Sequence, residues 1–261
     1  MTVPVEVATQ VRNRWPDRSE PWLAAVDGEL AELCERYTAQ PVRVFPARYS
    51  YAVAATSPQQ GQLVFRGTPD PQGAHQAVVS CALAEHGVGP IIHESFGTQT
   101  GHWTVMNRVV PGVSLRPGDV PTAAVARMLS PLVGQPAPRW QLPYIGDWLR
   151  QRLEDPSLRD LAPGRQPAPG SERAHAIDVL GRLADTGERV LCHGDASPGN
   201  ILVGQKSLWL IDPRGFSGEV AYDVAVVASK TSAHLESLAQ VVGVSFERCR
   251  AWTIVVKTAR V

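Results

Sequence analysis

The sequence predicts an α+β chain in two parts: an antiparallel sheet with helices over residues 1–110, and a mainly helical part over residues 111–261. Three observations carry this. β-branched and aromatic residues alternate with polar ones before Pro111, and helical spacing dominates after it. The second part is also interrupted by three short apolar runs, "RVLCH", "NILVG" and "SLWLID", separated by "GDASPG" and "GQKS".

From Pro21 to Tyr37, Trp22, Leu23, Val26, Leu30, Leu33 and Cys34 fall at helical spacing, so an amphipathic helix opens the fold. "VRVFPARYSYAVAATS" and "QLVFRG", either side of "PQQG", read as short strands joined by turns. "GAHQAVVSCALAEHG" is a helix that stops at Gly87, and "GPIIHESFG" and "GHWTVMNRVV" are two further strands, after which "PGVSL" closes the first part. Helices follow over "VPTAAVARMLSPLVG" and "YIGDWLRQRLE", then a Pro/Gly/Ser-rich surface loop, "DPSLRDLAPGRQPAPGSER". "AHAIDVLGRLADTG" is helical again. The three apolar runs form a strand, a loop and a tight hairpin. "AYDVAVVASKTSAHLESLAQVVG" and "SFERCRAWTIVVKTARV" complete the helical part.

The chain has 261 residues, 44% of them apolar, enough for a sizeable core. Lys plus Arg and Asp plus Glu both total 25, so no net field gathers nucleic acid or an anionic membrane. No apolar run reaches the roughly 18 residues of a membrane span, and no basic-then-apolar leader opens the chain. The four cysteines lack metal or redox spacing and read as reduced residues, mostly in the core. A cytoplasmic protein is expected, acting on a small molecule.

The chemistry concentrates in "LCHGDASPGN". Turn formation alone would explain Gly194, Ser197, Pro198 and Gly199. It would not explain Asp195 and Asn200 together with Asp212, which the hairpin returns to the same loop. Phosphoryl transfer uses such a set: a carboxylate orients the attacking hydroxyl and accepts its proton, while hard oxygen ligands hold Mg²⁺ against the phosphates. Asp195 suits the first task, Asn200 and Asp212 the second.

"HGDASPGN" followed by "LWLIDPRGFSGEVAYDVA" resembles the aminoglycoside phosphotransferase superfamily. The ending "IDPRG...GEVAYDVA" is similar to its streptomycin 6-phosphotransferase and hydroxyurea phosphotransferase branch. The resemblance is strongest over residues 188–230. It implies the two-lobed protein-kinase-like fold, with ATP and Mg²⁺ as cofactors and a hydroxyl-bearing acceptor, an aminoglycoside-like antibiotic of the streptomycin type. A metabolite kinase and a non-catalytic nucleotide-binding module are the alternatives. By the same resemblance Asp195 is the base, and Asn200 and Asp212 hold the metal. His193 is a buried structural histidine, and Asp223 ties a helix start to the loop. Met106, Asn107 and Val109 stand where backbone groups face adenine, and Ser50 lies in the phosphate-side turn. Glu219, near the loop, is either a substrate contact or solvated surface.

The chain departs from the family in its first part. Arg66 stands where a lysine contacts the phosphates, and Gln76 near the position of its glutamate partner. Arginine keeps the charge but changes reach and geometry. The turn after "VRVFPARYS" contains no glycine.

Overall fold

The computed structural model describes all residues except 119, 139–140, 159–160, 162–163 and 188. Glu188, where the family-like stretch begins, and four positions of the Pro/Gly-rich loop lie outside the described residues. The chain divides into two compact units, Met1–Ala77 with Pro90–Val109, and Val78–Gly89 with Val110–Val261.

The first unit opens with two helices where the sequence predicts one, α1 (Val5–Arg14) and α2 (Pro16–Arg36). Helix α2 begins five residues before the predicted Pro21. Pro16 takes the first helical position, where its missing N–H costs nothing, and Trp15 accepts from Arg18 and Ser19 N–H. Five strands follow: β1 (Gln40–Val44), β2 (Tyr51–Ser57), β3 (Gly61–Thr68), β4 (Ile92–Gly97) and β5 (His102–Asn107). They form one antiparallel sheet in the order β1-β2-β3-β5-β4. Trp22, Val26 and Leu33 of α2 pack with Tyr51, Phe65 and Trp103 of the sheet into this unit's core. Helix α3 (Gly73–Glu85) starts in this unit, and from Val78 onward belongs to the second.

The second unit has its own core around Leu129, Ile145, Leu149, Leu180, Tyr222 and Trp252. "PGVSL" does not close the first part: its residues form β6 (Pro111–Ser114), which pairs with β8 (Ile201–Gly204). Strand β8 turns back into β9 (Leu208–Leu210). A separate pair joins β7 (Val190–Leu191) to β10 (Ser217–Gly218). Around these strands lie α4 (Thr122–Leu129), α5 (Ile145–Glu154), α6 (Gly170–Asp185), α7 (Val220–Lys230), α8 (Leu235–Val242) and α9 (Phe246–Thr258). The segment from Ala221 to Gly243, read as helical, holds two helices, α7 and α8. The loop between α5 and α6 is not all surface either, because Leu158 and Ala168 are buried.

Candidate active site

Strand β7 delivers the chain into the loop "CHGDASPGN", and β10, paired to the same strand, lays the segment Asp212–Phe216 beside it. Gly194 sits at φ +80°, and a Cβ on it would meet the Cβ of Arg214 at 3.1 Å, so the turn and the close approach both call for glycine. Arg214 N–H donates to His193 O at 3.0 Å, tying the two segments. The β8–β9 turn closes with Gly204 N–H donating to Ser207 O at 2.8 Å. At the other end of that hairpin Ile211 N–H donates to Asn200 O at 3.0 Å, which brings the residue before Asp212 against Asn200. Asp212 is exposed and left-handed, with φ +56°, a conformation aspartate tolerates better than most residues.

Two fully buried side chains hold the loop in shape. Asp223, in the first turn of α7, accepts from His193 N–H at 2.8 Å and Gly194 N–H at 2.9 Å, one bond to each oxygen. Burial pushes its carboxyl up to about 7, although both N–H groups pull the other way. His193 donates from Nε2 to Ile211 O at 2.9 Å and accepts at Nδ1 from Asp195 N–H at 3.2 Å. That pair of bonds needs the neutral ring, and burial lowers the His193 pKa despite the nearby Asp195 charge.

Asp195 is half-buried and gripped by cations. Arg214 donates from an Nη to Asp195 Oδ2 at 3.0 Å, and Lys230 Nζ, from the last turn of α7, lies 3.8 Å from Oδ1. Oδ1 takes no hydrogen bond among the described residues. Burial alone would raise the Asp195 carboxyl, but Arg214 and Lys230 outweigh it and hold it below its ordinary value. The Arg214 guanidinium lies over the Trp148 ring, 4.4 Å from its centroid, and Trp148 packs in turn on Phe216. Asn200 donates from its amide to Asp195 O at 3.0 Å, which turns its own carbonyl oxygen away from that bond.

Glu219 has a different role from either one expected of it. Arg248 grips both its carboxylate oxygens, and Trp252 Nε1 donates to Oε1 at 2.7 Å. Three of its roughly four acceptor sites go to residues of α9, so in this structure Glu219 joins the start of α7 to α9.

In the first unit Arg66 lies on β3 opposite Ala52 and Thr104. It donates to Gln76 Oε1 at 3.1 Å, and Gln76 donates from Nε2 to Asp70 Oδ2 at 2.8 Å. The glutamine therefore does not break the expected pairing but passes it on to a carboxylate one residue further out. Asn107 N–H donates to Ile91 O at 2.9 Å, so one of the backbone donors expected to face a base is spent on the fold, as is that of its neighbour Arg108, which donates to Gln62 O at 2.9 Å. Met106 and Ser50 are buried, and Val109 is half-buried. Arg214, Lys230 and Trp148 escape sequence reasoning; the only hint is that "IDPRG" places a cation two residues after Asp212.

Residues 83–253 match the model of the phosphotransferase enzyme family. A hydroxyurea phosphotransferase of Kitasatospora aureofaciens is 33% identical over 103 residues, covering 30% of this chain and 30% of that protein. The chain thus matches less than a third of that relative's length. Among solved structures, choline kinase LicA from Streptococcus pneumoniae superimposes with a TM-score of 0.63 at 15% identity, covering 90% of this chain and 88% of that one. A type VIII aminoglycoside-3'-phosphotransferase gives 0.60 at 18% identity, covering 89% and 98%. Both likenesses show the two-lobed kinase-like fold. With the family match spanning well over half of its length, this chain belongs to the phosphotransferase enzyme family.

Proposed function

We propose that the protein transfers the γ-phosphoryl group of ATP to a hydroxyl of a small polar acceptor. The observation that carries the reading is the joint placement of Asp195, Asn200 and Asp212 on a loop fixed by His193 and Asp223. Asp195 orients the hydroxyl and receives its proton as the oxygen bonds to the γ-phosphorus, and the bond from that phosphorus to the bridging oxygen breaks to leave ADP.

The donor set fits magnesium. Asn200 keeps a carbonyl oxygen and Asp212 offers an exposed carboxylate, and among the described residues no three His, Cys, Asp or Glu side chains gather into a metal cage. Magnesium is typically held in this way, by one or two protein oxygens together with substrate phosphates. When bound it would neutralise charge on the β- and γ-phosphates. Candidate nucleotide contacts in the first unit are Arg66 for phosphate and the backbone near Val109 for the base. A LicA structure in complex with AMP is consistent with adenine nucleotide use in this fold.

An aminoglycoside-like acceptor of the streptomycin type is what the sequence resemblance implies. One observation favours the second reading, a metabolite-type acceptor: Glu219, for which a substrate contact was one of two expected roles, is locked to Arg248. The test is incubation with ATP and Mg²⁺ and an acceptor panel that includes streptomycin and hydroxyurea, with mass detection of the added phosphate. A phosphorylated acceptor supports the kinase reading. A folded protein that binds ATP but phosphorylates nothing, and leaves ATP intact, points instead to a nucleotide-binding module.

A further inference from the structure

The surroundings of Asp195 carry more positive charge than the base itself needs. Arg214 alone satisfies Oδ2. Lys230 adds a second cation, 3.8 Å from Oδ1; of its three N–H donors the described residues engage only the one turned to Asp195. Burial is the largest influence lowering the Lys230 pKa, Asp195 opposes it, and Arg214 and Arg165 lower it further, so Lys230 feels two other cations as well as the carboxylate. The cluster also holds polar atoms with nothing to bind. Asp195 Oδ1, Arg214 Nε and the hydroxyl of fully buried Tyr222 have no partner among the described residues, and Tyr222 is within charge reach of both Arg214 and Asp195. Buried polar atoms are ordinarily satisfied, so such a group marks a place where a polar ligand or water completes the bonding.

From this we propose that Lys230 is the acceptor's anchor, and that the acceptor is a compact hydroxy compound bearing a carboxylate. The proposal rests on the kinase reading above and deepens it. A carboxylate would take up the ammonium donors of Lys230 and offset the excess positive charge, leaving the neighbouring hydroxyl to Asp195. A polycation such as an aminoglycoside would bring like charge against Arg165, Arg214 and Lys230, where juxtaposition of like charges is costly.

The test uses the full chain with ATP and Mg²⁺. The acceptors are glycolate, lactate and glycerate, each paired with its own uncharged amide, with streptomycin as the polycation. Wild type is expected to phosphorylate at least one acid with kcat/KM roughly 10- to 100-fold above its amide, the worth of one charge-assisted hydrogen bond. Lys230→Gln should abolish that preference by raising the KM for the acid to that of its amide, with the KM for ATP nearly unchanged and any fall in kcat shared equally by acid and amide, and Lys230→Arg should restore most of it. Thermal melting of each variant checks the fold. Equal use of acid and amide, or preference for streptomycin, overturns the proposal while leaving the kinase intact. So does a Lys230→Gln defect in the KM for ATP or in kcat alone, because the cation would then serve the phosphoryl group. If no acceptor at all is phosphorylated by folded, ATP-binding protein, the kinase reading itself fails and this proposal with it.

Discussion

Two arginines, one in each unit, stand beside functional positions and use their charge differently. Arg214 spends its charge on a carboxylate: it pairs with Asp195 at 3.0 Å, lies over Trp148, and is anchored through its backbone to His193. Arg66 donates to the neutral amide of Gln76, which itself donates to Asp70. A charge paired directly with a base sets the base's position and ionisation. An amide oxygen fixes the direction of a guanidinium without neutralising its charge. Arg214 is thus held by the segment it serves, while a role for Arg66 toward phosphate belongs to the proposed function and is open to a direct test.

The comparison depends first on the frame that holds Arg214 and the base in place. Asp223→Ala would leave two buried N–H groups without acceptors, at about 1–3 kcal/mol each, and should be the most destabilising of the substitutions considered, read as a fall in denaturant midpoint. The same residue gives a pH signature. Its carboxyl is raised in the folded state, to about 7, so its contribution to stability is complete below the ordinary carboxylate range and is lost as pH rises through 7. Asp223→Asn cannot titrate and should flatten the stability profile between about pH 5 and 8. An unchanged slope there would show that Asp223 does not titrate as its burial demands.

Arg66→Ala sharpens the comparison on the other side. If its charge is turned toward phosphate, calorimetry should show ATP binding weakened by roughly 1.5–3 kcal/mol and adenosine binding much less so. Equal losses for the two ligands would place Arg66 with the fold. Arg214→Gln should have the subtlest signature. The cation favours the ionised form of Asp195, so removing it lets the carboxyl rise, and the acid limb of the kcat/KM profile should move to higher pH. A limb that stays in place or moves down would deny that Arg214 governs the base.

The sequence made the loop legible because its spacing is local: Asp195, Asn200 and Asp212 lie within one strand, loop and hairpin whose turn residues announce themselves. The sheet of the first unit was legible through its alternation. What stayed hidden depends on partners far apart in the chain. Lys230 reaches Asp195 from the far end of α7, and Trp148 reaches Arg214 from α5, with no period or spacing to mark either contact. Glu219 was misread for the same reason, since its partner Arg248 lies 29 residues on. Helix α1 was missed because its buried face is only Val7 and Val11, too few apolar positions for a period to register. The transfer of "PGVSL" to the second unit is likewise set by pairing with β8, not by its own residues.

On the proposed function Asp195, paired with Arg214 and not used to bind nucleotide, accepts the proton of the acceptor hydroxyl. Single-turnover phosphorylation of whichever acceptor the panel identifies, measured for wild type and Asp195→Asn alongside ATP affinity and thermal melting, tests it most directly. The expected result is a loss of about 10²–10⁴-fold in the rate of phosphate transfer with ATP affinity and melting near those of wild type. Full activity in Asp195→Asn, or a loss of rate explained by a matching loss of ATP binding, would contradict the account.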